Sequence, residues 1–160
     1  MQRHVYFYTH VPTPFEPTAG VLAGDPARWL PLPAREDGDA WQVVLRAEGA
    51  LPARLAEHPA AVSLGAAAVS DGRLLRALSW HSSQREQVFP VLTADLGLDA
   101  LEGDGSHLSL MGTYRPPLSV VGGAGDVLLG HRVAEAVVRR FVLDVADRLL
   151  EAVKAGVAGP

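Results

Sequence analysis

The apolar residues of this 160-residue chain change period once along its length, and that change restricts what it can fold into. From Trp41 to Arg115 they alternate with polar residues, the period of a strand with one buried face. Trp41, Val43, Leu45 and Ala47 form one such set, and Val62, Leu64, Ala66 and Ala68 the next. Asp71-Gly72 is a hairpin turn leading into Leu74, Arg76, Leu78 and Trp80. Within Val88 to Leu101, Leu92, Ala94, Leu96 and Leu98 share a face, opposite Thr93, Asp95, Gly97 and Asp99. Gly103-Asp104-Gly105 turns the chain into His107 to Arg115, where Leu108, Leu110, Gly112 and Tyr114 share a face. Short connections between neighbouring strands imply an antiparallel meander with one wet face. After Pro116-Pro117 and Gly122-Gly123-Ala124-Gly125 the period becomes helical. Asp126 suits an N-cap, and Val127, Ala134, Val138, Phe141, Val145, Leu149 and Ala152 follow at spacings near three and four. That predicts one amphipathic helix of about seven turns ending near Gly156. Its stripe must be buried, and the sheet is the surface available.

The first forty residues read differently. His4 to Val11 is aromatic and β-branched, a strand with Val5, Phe7 and Thr9 on one face and Tyr6, Tyr8 and His10 on the other. Pro12 and Pro14 end it. Phe15 to Ala23 forms a short helix weakened by Pro17 and Gly20, and Asp25-Pro26 caps a further turn, Ala27 to Leu30. Pro31, Pro33 and the acidic run Glu36 to Asp39 read as a loop. On the wet side of the long helix, Glu135-Arg139 and Asp144-Arg148 have ion-pair spacing. The pattern is α+β and shows neither a repeat nor a second domain, so residues 1–160 are expected to form one unit.

Composition removes several function classes. Cysteine is absent, which excludes disulfides and thiolate chemistry. Thirteen of the fourteen Lys and Arg residues are arginine, scattered singly except for Arg139-Arg140, and the net charge is -4, so no basic stripe awaits a nucleic acid. The longest uncharged apolar stretch, His58 to Ser70, has thirteen residues, short of the ~20 that span a bilayer. Val5-Tyr6-Phe7-Tyr8 is too short for a signal-peptide core, which makes a cytoplasmic protein the expectation. The six histidines His4, His10, His58, His81, His107 and His131 include no pair at metal-ligand spacing, so neither a metal nor another cofactor is expected. The glycine run 122–125 lacks a phosphate-binding signature, and Asp126 would occupy the anion's place. Asp95 and Asp99 share the wet face and read as solvated carboxylates. His81-Ser82-Ser83 is adjacency without a nucleophile motif.

The order of strand, short helical segments, antiparallel strands and long terminal helix resembles the START-like, or SRPBCC, superfamily of helix-grip proteins. Local phrases agree: Val11-Pro12 through Pro14-Phe15, then Asp25-Pro26-Ala27-Arg28-Trp29, look like that family's opening and its corner. Gly112-Thr113-Tyr114-Arg115-Pro116-Pro117-Leu118, with Asp126 and His131 to Glu135, look like the end of actinobacterial members. The proline-broken first helix departs from the pattern. The resemblance implies a curved antiparallel sheet gripping the terminal helix, with an apolar cavity between them.

Within that fold the candidate cavity residues are Tyr8, Arg76, Leu78, Trp80, Leu110, Tyr114, His131 and Ala134. The strand residues carry the parity of the apolar face, and the first half of the helix is poor in bulk. Room is therefore expected at the glycine-loop end. Three function classes remain open. The first is binding of a small apolar ligand such as a lipid, a polyketide or a related metabolite. The second is a cyclase or dehydratase using cavity His, Arg and Tyr, and the third is a protein-interaction domain with a filled core. A homodimer stays open as well.

Overall fold

The computed structural model describes residues 2–47, 57–83, 91–115 and 124–158, with the side chains of the last segment from Arg132 to Gly156. The chain order is β1 (Arg3–Val11), α1 (Phe15–Ala23), a 3-10 turn (Pro26–Arg28), β2 (Ala34–Asp37), β3 (Ala40–Arg46), β4 (Glu57–Ser70), β5 (Arg73–Ser82), β6 (Val91–Ala100), β7 (Ser106–Arg115) and α2 (Ala124–Ala158). All seven strands form one curved antiparallel sheet in the order β1-β7-β6-β5-β4-β3-β2. Neighbours in sequence pair as hairpins, and β1 closes the far side against β7.

Alternation decides which side chains face inwards. Val43 and Leu45 on β3, Leu74, Leu78 and Trp80 on β5, Leu92, Leu96 and Leu98 on β6, and Leu108, Leu110 and Tyr114 on β7 are all buried. The register stacks them in lateral rows. Trp80, Leu92 and Tyr114 lie opposite one another, then Leu78, Ala94 and Gly112, then Arg76, Leu96 and Leu110. The helix α2 lies along this face and buries Val138, Phe141, Val145 and Leu149, as its spacing predicts. Val133, Val137, Val142 and Val153 widen the stripe. Glu135 and Arg139 stay exposed.

Four local expectations fail, each for an identifiable reason. Pro17 does not break α1: it sits in the first turn, where a backbone N–H has no helical partner, so its missing donor costs no bond. The helix runs from Phe15 to Ala23, burying Phe15, Thr18, Ala19, Val21 and Leu22. The acidic run is no loop. Ala34–Asp37 pairs with β3, with Asp37 opposite Ala40 across a turn in which Gly38 has φ 61°, a conformation that favours glycine. On β4 the one-face reading of Val62, Leu64, Ala66 and Ala68 fails at a register shift between Leu64 and Ala67. This bulge reverses the parity, exposing Ala66 and Ala68 and packing Ala67 against the core. Finally, Asp144 pairs with Arg140 at 2.8 Å. The Arg148 guanidinium donates instead to the carbonyls of Leu30 and Ala27, joining α2 to the turn before β2.

Phe141 is 2% exposed, and its ring meets Trp80 edge-on at 5.1 Å between centroids. Phe141→Ala is therefore expected to destabilise the fold by about 3–5 kcal/mol, the range for deleting a buried ring, in urea unfolding of both proteins. A loss below about 1 kcal/mol would contradict this packing.

Candidate ligand cavity

The row at the end of the sheet where β5 finishes and β6 begins carries the bulkiest amphipathic pair. Trp80 and Tyr114 flank Leu92 and are 2% and 1% exposed. Across from them α2 presents Ala134, Val137 and Val138. These six residues meet along an apolar seam too tight to admit a water-sized molecule, so the room expected at this end of the helix is not open. Ala134 is the smallest side chain of the seam, and two helical turns later Phe141 packs beside Trp80. In the next row Ala94 faces Gly112, where an added Cβ would lie 2.3 Å from the Thr93 carbonyl oxygen, so Leu78 alone brings bulk to that row.

Two polar tips belong to this wall. Among the described residues the indole Nε1 of Trp80, like that of Trp29, is buried with no hydrogen-bond partner, an omission that ordinarily costs about 1–3 kcal/mol. Burial pushes the Tyr114 hydroxyl above the ordinary tyrosine range; Arg3 opposes this and Glu135 adds to it. Beyond Trp80 on the same face of β5, Ser82 Oγ lies 2.6 Å from Nε2 of His58 on β4, both side chains buried. The sequence reading missed this pair, although the signal was available: His58 shares parity with Ala60 and Val62, and Ser82 with Trp80. Among the described residues no cluster of three or more His, Asp or Glu could hold a metal. No described helix is long and apolar enough to cross a membrane.

The architecture has close parallels among solved structures. The aromatase/cyclase Zhui from Streptomyces sp. R1128 superposes with a TM-score of 0.56 at 16% identity, over 98% of this chain and 96% of that one. Norcoclaurine synthase from Thalictrum flavum gives 0.59 at 10% identity, over 96% and 87%. A conserved protein from Geobacillus kaustophilus gives 0.54 at 13% identity, over 97% of both chains. The fold is the START-like helix grip. No family model matches the chain, and no curated protein matches it in sequence.

The helix grip gathers some of the expected cavity residues and disperses others. Trp80, Tyr114 and Ala134 meet at the apolar seam between sheet and helix. Leu78 and Leu110 are buried on the same face in the next two rows, inside the continuous core. Tyr8 is on the other side of the sheet, 57% exposed and stacked on His107 at 4.9 Å, because alternation along β1 turns Tyr6, Tyr8 and His10 outwards. Arg76 faces inwards but is engaged in a structural latch. It donates to the carbonyls of Leu22 and Gly24 at the end of α1 and, through Nε, to the bulge carbonyl of Gly65. Its guanidinium lies 5.5 Å from the Trp29 ring centroid, and desolvation lowers its pKa. Position 131 lies within α2, and the His131 side chain falls outside the described residues.

Two outcomes follow from this geometry. Arg76→Met should cost about 2 kcal/mol in urea unfolding, because three carbonyls lose a charged donor. A loss within about 0.5 kcal/mol would mean that α1 docks without it. For Tyr114 the raised pKa stabilises the fold fully below the ordinary tyrosine value of about 10, and this contribution is lost as pH rises beyond it. Alkaline unfolding of Tyr114→Phe should therefore start at higher pH than that of the native chain, and identical curves would contradict the buried hydroxyl.

Proposed function

We propose that this chain binds a small apolar or amphipathic molecule, of the lipid, polyketide or related metabolite class, between β5–β7 and the described beginning of α2. The observation that carries the reading is the indole N–H of Trp80, buried with no hydrogen-bond partner among the described residues, on the apolar seam between sheet and helix. A ligand oxygen accepting that donor would satisfy it, while Leu92, Val137 and Val138 supply apolar contact. The fold's likeness to an aromatase/cyclase and to norcoclaurine synthase adds support of a general kind. The seam itself is too tight for a water-sized molecule, whereas drug-sized pockets hold ~300–1,000 Å³. A guest therefore enters by moving α2 away from the sheet.

A second reading, a domain with a filled core that works through its surface, draws on that same tight packing. The cyclase or dehydratase alternative is weaker: Arg76, the cation it needs, is held by the carbonyls at the end of α1.

Titration with 8-anilinonaphthalene sulfonate tests the proposal. The native chain should bind the dye with blue-shifted emission and quench Trp80. Ala134→Phe should abolish binding at a folding cost of about 1–3 kcal/mol, the usual range for overpacking. Unchanged affinity in a folded Ala134→Phe variant would place the dye elsewhere and leave the filled-core reading standing.

A further inference from the structure

One edge of β1 pairs with β7, and among the described residues no strand pairs with the other. Every second residue of a strand turns its N–H and C=O to the same side, so half of the backbone polar groups of Arg3–Val11 point to the open edge. A groove runs along this edge, between β1 and the exposed flank of α2. Val5, Tyr6 and Phe7 all line it. Val5 and Phe7 face inwards and Tyr6 outwards, so what these consecutive residues share there is the backbone edge itself. The helix side of the groove is cationic. Arg132 and Arg139 are exposed, two turns apart, and neither is in an ion pair with a described carboxylate. Arg139 is poised with its guanidinium 6.0 Å from the Phe7 ring centroid. Arg140 also lines the groove, already paired with Asp144, and Glu135 is the one carboxylate of the lining. This local positive charge stands against a chain whose net charge is -4.

We propose that the groove takes an extended acidic segment of another protein, which adds to the sheet as a strand beside β1 and sets its carboxylates against Arg132 and Arg139. Backbone pairing supplies the register and the arginines supply the charge preference. The spacing suits such a guest. Arg132 and Arg139 are about 10 Å apart along the helix, and side chains on one face of a strand recur about every 6.8 Å, so alternate carboxylates reach both through flexible guanidinium arms. A second copy of this chain fits less well: β1 contains no Asp or Glu and carries Arg3, so pairing two β1 edges would bring more positive charge to a positive groove. The proposal is independent of any ligand between sheet and helix at the Trp80 row.

Fluorescence anisotropy at low ionic strength tests it, using labelled peptides of about ten residues that alternate Thr with Glu, Gln or Lys. The Glu peptide should bind at least about tenfold tighter than the Gln peptide, and the Lys peptide should not bind. The double variant Arg132→Glu/Arg139→Glu, checked for an unchanged melting temperature, should lose at least about tenfold in affinity for the Glu peptide. N-methylation of alternate peptide amides should abolish binding in one parity and spare it in the other. Equal binding of the Glu and Gln peptides, undiminished binding to the double variant, or equal tolerance of both methylation patterns would overturn the proposal. So would a dimer in sedimentation that excludes the Glu peptide, since the occupant would then be a second copy.

Discussion

Burial of one helical stripe against a curved sheet is the constraint on which the rest of this molecule depends. Neither surface is stable in water alone: the inner sheet face presents rows of leucine, and α2 presents valines together with Phe141 and Leu149. Each large side chain that leaves water on their contact stabilises by roughly 1.5–3 kcal/mol, far more than the ~0.2–0.5 kcal/mol of a helical ion pair. The polar devices around this contact serve it. Arg148 joins α2 to the carbonyls of Ala27 and Leu30, and Arg76 joins the end of α1 to the bulge of β4. The fold is thus a hydrophobic grip whose ends are fastened by arginines to backbone oxygens.

Because inward-facing residues were legible from period alone, most of the architecture was too. Alternation in β3, β5, β6 and β7 named the buried faces, and Asp71-Gly72 marked its turn. What failed was local geometry, where tertiary context outweighs pattern. The β4 bulge inserts an extra residue that no composition announces, and Gly65 in an alanine-rich run gives little warning of it. The β2–β3 hairpin was hidden by its charge. A strand of Ala, Arg, Glu and Asp at the sheet edge keeps three of four residues exposed, so it shows no apolar alternation. Arg148 left its helical partner because Arg140, one turn to the other side, takes Asp144, while the carbonyls of Leu30 and Ala27 lie within reach of the Arg148 guanidinium.

The candidate site was partly legible for the same reason. Trp80, Tyr114 and Ala134 were reachable from parity and from the poverty of bulk early in the helix. Arg76 had the correct parity and the wrong role, since its partners lie on a helix more than fifty residues away in sequence. The His58–Ser82 pair, 24 residues apart, needed the strand register to bring its members together. The open edge of β1 likewise becomes a binding surface only once α2 is placed beside it with Arg132 and Arg139 outwards. Pattern names faces; pairing decides which faces meet.

The central functional claim is that the inner space at the Trp80 row accepts a guest. The most direct measurement is the ¹⁵N–¹H signal of the three tryptophan indoles, followed as an apolar carbonyl compound such as a naphthyl ketone is added. The Trp80 indole proton has no partner among the described residues, so its signal should move downfield and its solvent exchange should slow as the guest oxygen accepts it. Trp29, whose buried indole N–H likewise has no partner among them but lies outside the Trp80 row, and Trp41 should keep their signals in place. A saturating titration that leaves the Trp80 signal unmoved, or moves Trp41 instead, would contradict the account.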